Sequence, residues 1–186
     1  MKFTSFLVCV LLALSFHTAD ARPRPGGLHG KSFEANKTFG AGIELGTPFG
    51  LIGKYFLDSS HALDFGIGSS LYDDYYGYRG YHIYLDYLWH PITLVSSESF
   101  ELPLYIGVGG QFWGWDDRRF GGTGVSGSAF GVRVPVGISF DLNNLPLDFF
   151  IQTVPTLDLF FDRPANYGRS IYLFFDFSVG ARFWFS

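Results

Sequence analysis

The chain has 186 residues, 47% hydrophobic and 20% aromatic, with only 16% charged and a formal net charge of −4. A typical soluble domain carries about 25% charged residues, and an acidic balance without a basic cluster argues against a nucleic-acid surface. The only cysteine is Cys9, so a disulfide-stapled secreted domain is excluded.

The first 21 residues read as an export signal, 1–21. Lys2 gives a positive start, Phe6 to Phe16 is continuously apolar, and Ala19-Asp20-Ala21 is a small-x-small cleavage site. The apolar stretch falls short of the roughly 20 residues of a spanning helix. Cleavage near Ala21 removes Cys9, and a lipid anchor would need its cysteine at the cleavage point. Residues 22–38 are rich in Pro, Gly and charge, with no period, and read as a flexible leader. Asn36-Lys37-Thr38 matches a glycosylation acceptor, a three-residue pattern short enough to arise by accident.

From residue 39 to 186 the pattern changes to short segments alternating apolar and polar at period two, the mark of strands with different environments on their two faces. The predicted strands are Phe39–Gly46, Gly50–Leu57, Ala62–Ser69, Tyr81–His90, Leu102–Phe112, Ser128–Phe140, Leu147–Phe160 and Ser170–Phe185. Taking the more apolar parity of each as outward gives sets such as Ile43/Leu45, Phe65/Ile67, Ile83/Leu85, Val132/Val134 and Phe175/Phe177. In the second strand the choice is weaker, because Ile52 and Phe56 share the inner face with Lys54. The charges, which play no part in that choice of face, fall on the other parity: Glu44, Lys54, Asp64, Asp86, Arg133, Asp148, Asp158, Asp176 and Arg182, with His82, Tyr84, His90, Tyr105 and Gln152.

An apolar outside and a charged inside are what a bilayer demands, since a lipid-facing Arg or Lys at the midplane costs about 2–4 kcal/mol. A soluble lipid-carrying barrel would show the reverse. The fold expected is all-β: an eight-stranded antiparallel up-and-down transmembrane β-barrel, monomeric by default, in the bacterial outer membrane. Short connections alternate with long ones, as periplasmic turns alternate with extracellular loops. The exceptions are a short Gly46–Gly50 and a long Pro91–Phe100. Pro135 and Pro155 fall inside strands and predict bulges there.

Several stretches carry a resemblance: Gly50-Leu51-Ile52-Gly53-Lys54-Tyr55-Phe56, Ala62-Leu63-Asp64-Phe65-Gly66-Ile67-Gly68, Leu102-Pro103-Leu104-Tyr105-Ile106-Gly107, Arg133-Val134-Pro135-Val136-Gly137-Ile138 and Leu157-Asp158-Leu159. With them the chain resembles small outer-membrane barrels of unknown function first grouped from spirochaetes. The resemblance implies an eight-stranded barrel of the OmpA/OmpX type and brings no agreed activity. It also implies the barrel-assembly machinery as a partner, because the last strand is similar to its recognition signal, although Phe185 is followed by Ser186.

Three roles can be drawn from these residues. The lumen set Glu44, Lys54, Asp64, Asp86, Arg133, Gln152, Asp176 and Arg182 makes a salt-bridged plug, or alternatively a narrow gated path for small ions or solutes. His82, with Tyr81, Asp73 and Asp74 nearby and Ser126 or Ser128 as partner, could be a lipid-modifying centre, but no nucleophile motif accompanies it. Tyr75, Tyr76, Tyr78, Arg79, Trp115, Arg118 and Arg119 lie in the long loops. They serve either as headgroup anchors or as contacts for lipopolysaccharide or an extracellular protein ligand. Asp73/Asp74 and Asp116/Asp117 match no defined metal site, and no pattern calls for a cofactor.

Overall fold

The computed structural model describes residues 33–69, 78–117, 126–161 and 171–185. The export signal, residues 22–32 of the leader, and Asp73, Asp74, Tyr75, Tyr76, Arg118 and Arg119 lie outside the described residues.

Nine strands are present among the described residues: β1 (Phe39–Gly46), β2 (Phe49–Phe56), β3 (His61–Ser69), β4 (Tyr78–Ser96), β5 (Phe100–Asp117), β6 (Ser126–Arg133), β7 (Val136–Leu142), β8 (Leu147–Phe161) and β9 (Ile171–Trp184). All pair antiparallel in a single sheet, and β9 pairs with β1, so the sheet closes into a ring. Each strand neighbours the next in the chain, with β6 and β7 together filling the place between β5 and β8. Closure leaves no open edge, which is how an all-strand chain satisfies its backbone donors and acceptors without a second layer.

The expected strand Ser128–Phe140 is therefore interrupted at Val134-Pro135, and the count is nine instead of eight. The cause is two prolines one rung apart on adjacent strands. Val134 N–H donates to Pro155 O at 3.0 Å and Gly107 N–H to Pro135 O at 2.8 Å, but neither proline has an N–H with which to return the bond. The register is the same on both sides of the gap, from Arg133↔Thr156 to Val136↔Thr153. The bulges predicted at Pro135 and Pro155 are thus absent; each proline costs a rung and leaves the register alone.

The bulges lie in β4. Trp89 pairs with Ile106 and Ile92 with Leu104, so three residues of β4 span two of β5, and the same happens between Thr93 and Ser96. Each extra residue flips the side-chain parity. His90, Thr93 and Ser96 are accordingly all buried, although they do not alternate in sequence. The alternation changes phase at Pro91, and for this reason the sequence reading ended the strand at His90 and placed a long connection at Pro91–Phe100. That connection shrinks to residues 97–99.

At the other end β1 turns into β2 through Thr47-Pro48. Gly46 there has φ 137°, and a Cβ would collide with Phe177 O, so the tight turn needs glycine. The β2–β3 turn is capped by Asp58, whose carboxylate accepts from Ser60 N–H at 2.7 Å and His61 N–H at 2.8 Å. The Ser60 amide is the main reason that the carboxyl falls from 3.8 to about 2. A depressed folded pKa means that the cap is fully present above the unfolded value and is lost as pH falls through about 2. A carboxyl-resolved NMR titration should show Asp58 titrating near 2, and Ser60→Pro, which removes the amide, should move it upward.

Burial follows the parity. Along β8 the even positions Asp148, Phe150, Gln152, Val154, Thr156, Asp158 and Phe160 are buried, while Phe149, Ile151, Leu157 and Leu159 are exposed. The outward face is apolar almost throughout, with Leu51, Ile67, Val108, Leu173 and Phe175 more than half exposed. Among strand residues whose side chains are described, every Asp, Glu, Lys and Arg is buried except the half-buried Asp176.

Candidate functional site

The candidate site is the interior of the ring, and its polar groups fall into two centres. The first, towards the short turns, is built on Arg182 of β9. Its Nε donates to Asp148 Oδ1 and its Nη2 to Asp148 Oδ2, both at 3.0 Å, while Nη1 donates to Asp64 Oδ1 at 3.1 Å. Asp148 is the direct cross-strand partner of Arg182, whereas Asp64 reaches it from β3. The guanidinium also lies 4.4 Å from the Phe150 ring centroid. A planar fork with fixed donors suits such a two-carboxylate site better than a point charge would.

The second centre, towards the long loops, surrounds Arg133. Its Nε is 3.0 Å from Asp86 Oδ2, but neither atom has a hydrogen bond with good geometry, so the contact is an ion pair only. The guanidinium carbon stacks 3.9 Å from the Tyr84 ring centroid. Tyr84 OH in turn donates to Glu44 Oε2 at 2.9 Å. Gln111 links the upper part: its Oε1 accepts from Arg133 Nη1 at 3.5 Å and meets His82 Nε2 at 3.2 Å, and its Nε2 donates to Asp158 Oδ1 at 2.8 Å. Trp113 Nε1 holds the other Asp158 oxygen at 3.0 Å. Two glycines make room, since a Cβ at Gly109 would collide with the Asp86 carboxylate and one at Gly131 with that of Asp158.

Gln152 carries the second centre on to Tyr105. It donates to Glu44 Oε1 at 2.9 Å and to Ser178 Oγ at 3.1 Å, and accepts from Tyr105 OH at 3.1 Å. Tyr105 presents its ring face to Lys54, whose Nζ is 4.8 Å from the centroid and 2.8 Å from His90 Nε2. An ammonium can only donate, so His90 Nε2 is the acceptor and Nδ1 carries the proton that reaches Ser60 O at 3.1 Å.

A model of the family described as proteins of unknown function, DUF3996, matches residues 30–185. The chain belongs to the DUF3996 family. No curated protein matches it, and neither does any solved structure. The stretch shared with DUF3996 includes all nine strands and begins before the first of them. Residues 33–38, which the sequence reading gave to the leader, are therefore part of the family unit. They carry Phe33 and Lys37 into buried positions at the turn end of the ring.

Of the lumen residues read from the DUF3996 sequence, Glu44, Lys54, Asp64, Asp86, Arg133, Gln152 and Arg182 are all 2% exposed or less. Their partners differ from simple opposite-charge pairing. Glu44 is held by neutral donors and Lys54 by a histidine, while Asp176 accepts from Thr153 Oγ1 at 3.4 Å through its carbonyl and not its carboxylate. His82 meets Gln111 and is buried, with no serine or carboxylate among its described hydrogen-bond partners. Tyr78, Arg79 and Trp115 belong to β4 and β5, which extend beyond the strand ends expected from sequence. Gln111, Trp113, Ser139 and Lys37 were missed as network members. For Gln111 a signal existed: it has the parity opposite to Phe112, as every inward residue of that strand does.

Proposed function

We propose that this ring is a small transmembrane β-barrel of the bacterial outer membrane, with an interior plugged by paired charges and a structural and surface-interactive role. The observation that carries this reading is the sorting of charge. Every described strand charge turns inward or is half-buried, while the outward face offers Ile, Leu, Val, Phe, Tyr and Trp to its surroundings. In water that face would be an apolar patch far beyond the few hundred Å² that soluble monomers tolerate. In a bilayer it is the required surface. Tyr87 and Trp89 near the turn end suit the headgroup level.

On this reading the barrel-assembly machinery is the partner during biogenesis. The long loops, with Tyr75, Tyr76, Arg118 and Arg119, face lipopolysaccharide or an extracellular protein ligand. The test is insertion. Val134→Arg and Phe177→Arg place a charge at outward positions and should each cost about 2–4 kcal/mol of bilayer-folded stability if near the midplane. Refolding into lipid vesicles, followed by heat-modifiable gel mobility, reads this directly. Normal insertion of both variants would remove the membrane reading.

A second reading, a narrow gated pore for small ions or solutes, is favoured by one observation. Asp86 Oδ1 and Oδ2, Arg133 Nε and Nη2, and Thr156 Oγ1 are buried without hydrogen bonds, and Arg133 and Thr156 are cross-strand neighbours. Groups of this kind call for water, and water along the lumen is the first requirement of a path.

A further inference from the structure

The segment before β1 runs on alongside β2, with Thr38 O accepting from Phe56 N–H at 2.8 Å. Ala35 N–H donates to Ser59 O at 2.7 Å, tying it to the β2–β3 turn. Two residues later Lys37 Nζ pairs with the Asp141 carboxylate and donates to Leu142 O at 3.3 Å, at the end of β7. Around the ring, β1, β9 and β8 separate β2 from β7 on one side, and β4 and β5 separate β3 from β7 on the other. The Ala35 tie and the Lys37 pair are therefore on opposite walls, and the Lys37 side chain reaches across the mouth from the β2 side.

The crossing is packed. Phe33 is 5% exposed although it precedes every strand. Its ring lies 5.6 Å from Phe56 and 5.0 Å from His90, centroid to centroid. Lys37 Nζ lies 5.8 Å from the Trp184 ring centroid. Beneath them is a gap of about 10 Å³, bordered by Phe33, Lys54, His90, Ser139, Asp141 and Asp148. That is room for about one water and no larger solute. Two backbone hydrogen bonds to β2 and its turn, the buried Phe33 and Lys37 side chains and the Lys37–Asp141 pair together offset the loss of backbone freedom in these six residues.

We propose that residues 33–38 are a strap that closes the turn end of the polar interior, keeping solutes on that side away from Lys54, Ser139 and Asp148. Phe33 is the stopper and the Lys37–Asp141 pair is the latch. The chain already holds its own occupant for this mouth, and opening it requires that the latch be released and that Phe33 leave Phe56 and His90. The strap rests on the ring alone and not on the membrane reading, so the assay below is run on folded protein in detergent micelles and its failure leaves the insertion test untouched.

The probe is the full chain with Cys9→Ser and Ser139→Cys, which makes the introduced thiol unique. It is treated with a small water-soluble thiol reagent, and labelling is followed by mass spectrometry. Labelling should be slow with the strap intact and about tenfold or more faster when Phe33→Ala and Lys37→Ala are added. Lys37→Asp should also speed it, and adding Asp141→Lys should restore protection by reversing the latch. If the double alanine variant does not fold, the charge reversal decides alone. Labelling rates that are equal in the strapped and latch-broken folded variants, or a reversal that restores nothing, would overturn the strap.

Discussion

Replacing Arg182 with methionine should lower the unfolding free energy by about 3–5 kcal/mol, the cost of leaving buried carboxylates without their cation. Four of the guanidinium's donors are committed, two to Asp148, one to Asp64 and one to Ser139 Oγ at 3.5 Å, and all four residues are buried. Methionine fills much of the volume but neutralises nothing. Both carboxylates must then take up protons or draw in water. The pair itself need not be stabilising relative to apolar residues, because desolvation offsets much of the Coulomb attraction. Adding Asp64→Asn and Asp148→Asn to Arg182→Met should therefore recover most of the loss. Arg182→Lys should fall between, since one ammonium cannot reproduce the two-pronged contact with Asp148. Denaturant unfolding of the four proteins in micelles separates these cases. An Arg182→Met variant within about 1 kcal/mol of the parent would show that the Arg182 centre is not held as a network.

The contrast between Arg182 and its partners also shows what the sequence can express. Parity alone put Glu44, Lys54, Asp64, Asp86, Arg133 and Arg182 on the inside, because a period of two admits only two faces and one of them was apolar. Parity does not say which inward residue meets which. Arg182 touches Asp148 because β8 and β9 pair in that register, and the connection between those strands is too long for a turn type to fix the register from sequence. It touches Asp64, 118 positions away, because the ring closes, a fact held by no local pattern. The same limit explains the error in β4. Two bulges turn its side chains over twice, so a reader following one phase stops at His90. Pro135 and Pro155 looked more disruptive and were not, because each lost rung sits where the opposing strand keeps its own donor engaged. Phe33 and Lys37 belong to no periodic segment at all, and their burial is visible only once the mouth that they cover exists.

Trp184→Ala should be about as costly as the loss of Arg182, roughly 3–5 kcal/mol, the range for deleting a buried aromatic. Trp184 is 3% exposed and stacks on Phe56 at 5.6 Å between centroids. Its cross-strand neighbour Gly40 has no side chain, and a Cβ there would approach the indole to 2.9 Å. The ring thus fills a space shaped for it beside Phe33, Phe56, Leu88 and Tyr105, and alanine cannot collapse a closed sheet onto the void. The indole N–H, in contrast, is buried without a partner. Trp184→Phe gives up that unsatisfied donor along with some volume, and the two effects oppose each other. Its cost should stay below about 1.5 kcal/mol. Trp89 provides the control, because it lies on the outward face at 48% exposure. Trp89→Ala removes no packed neighbour from the interior, so in micelles it should cost far less than Trp184→Ala. Because Trp184 also borders the gap under the strap, Trp184→Ala should additionally raise the labelling rate of a thiol at Ser139, whereas Trp89→Ala should leave it unchanged. Equal stability losses for the two tryptophans would mean that the inward and outward faces of β4 or β9 have been exchanged, and the sorting of charge that carries the membrane reading would fall with them.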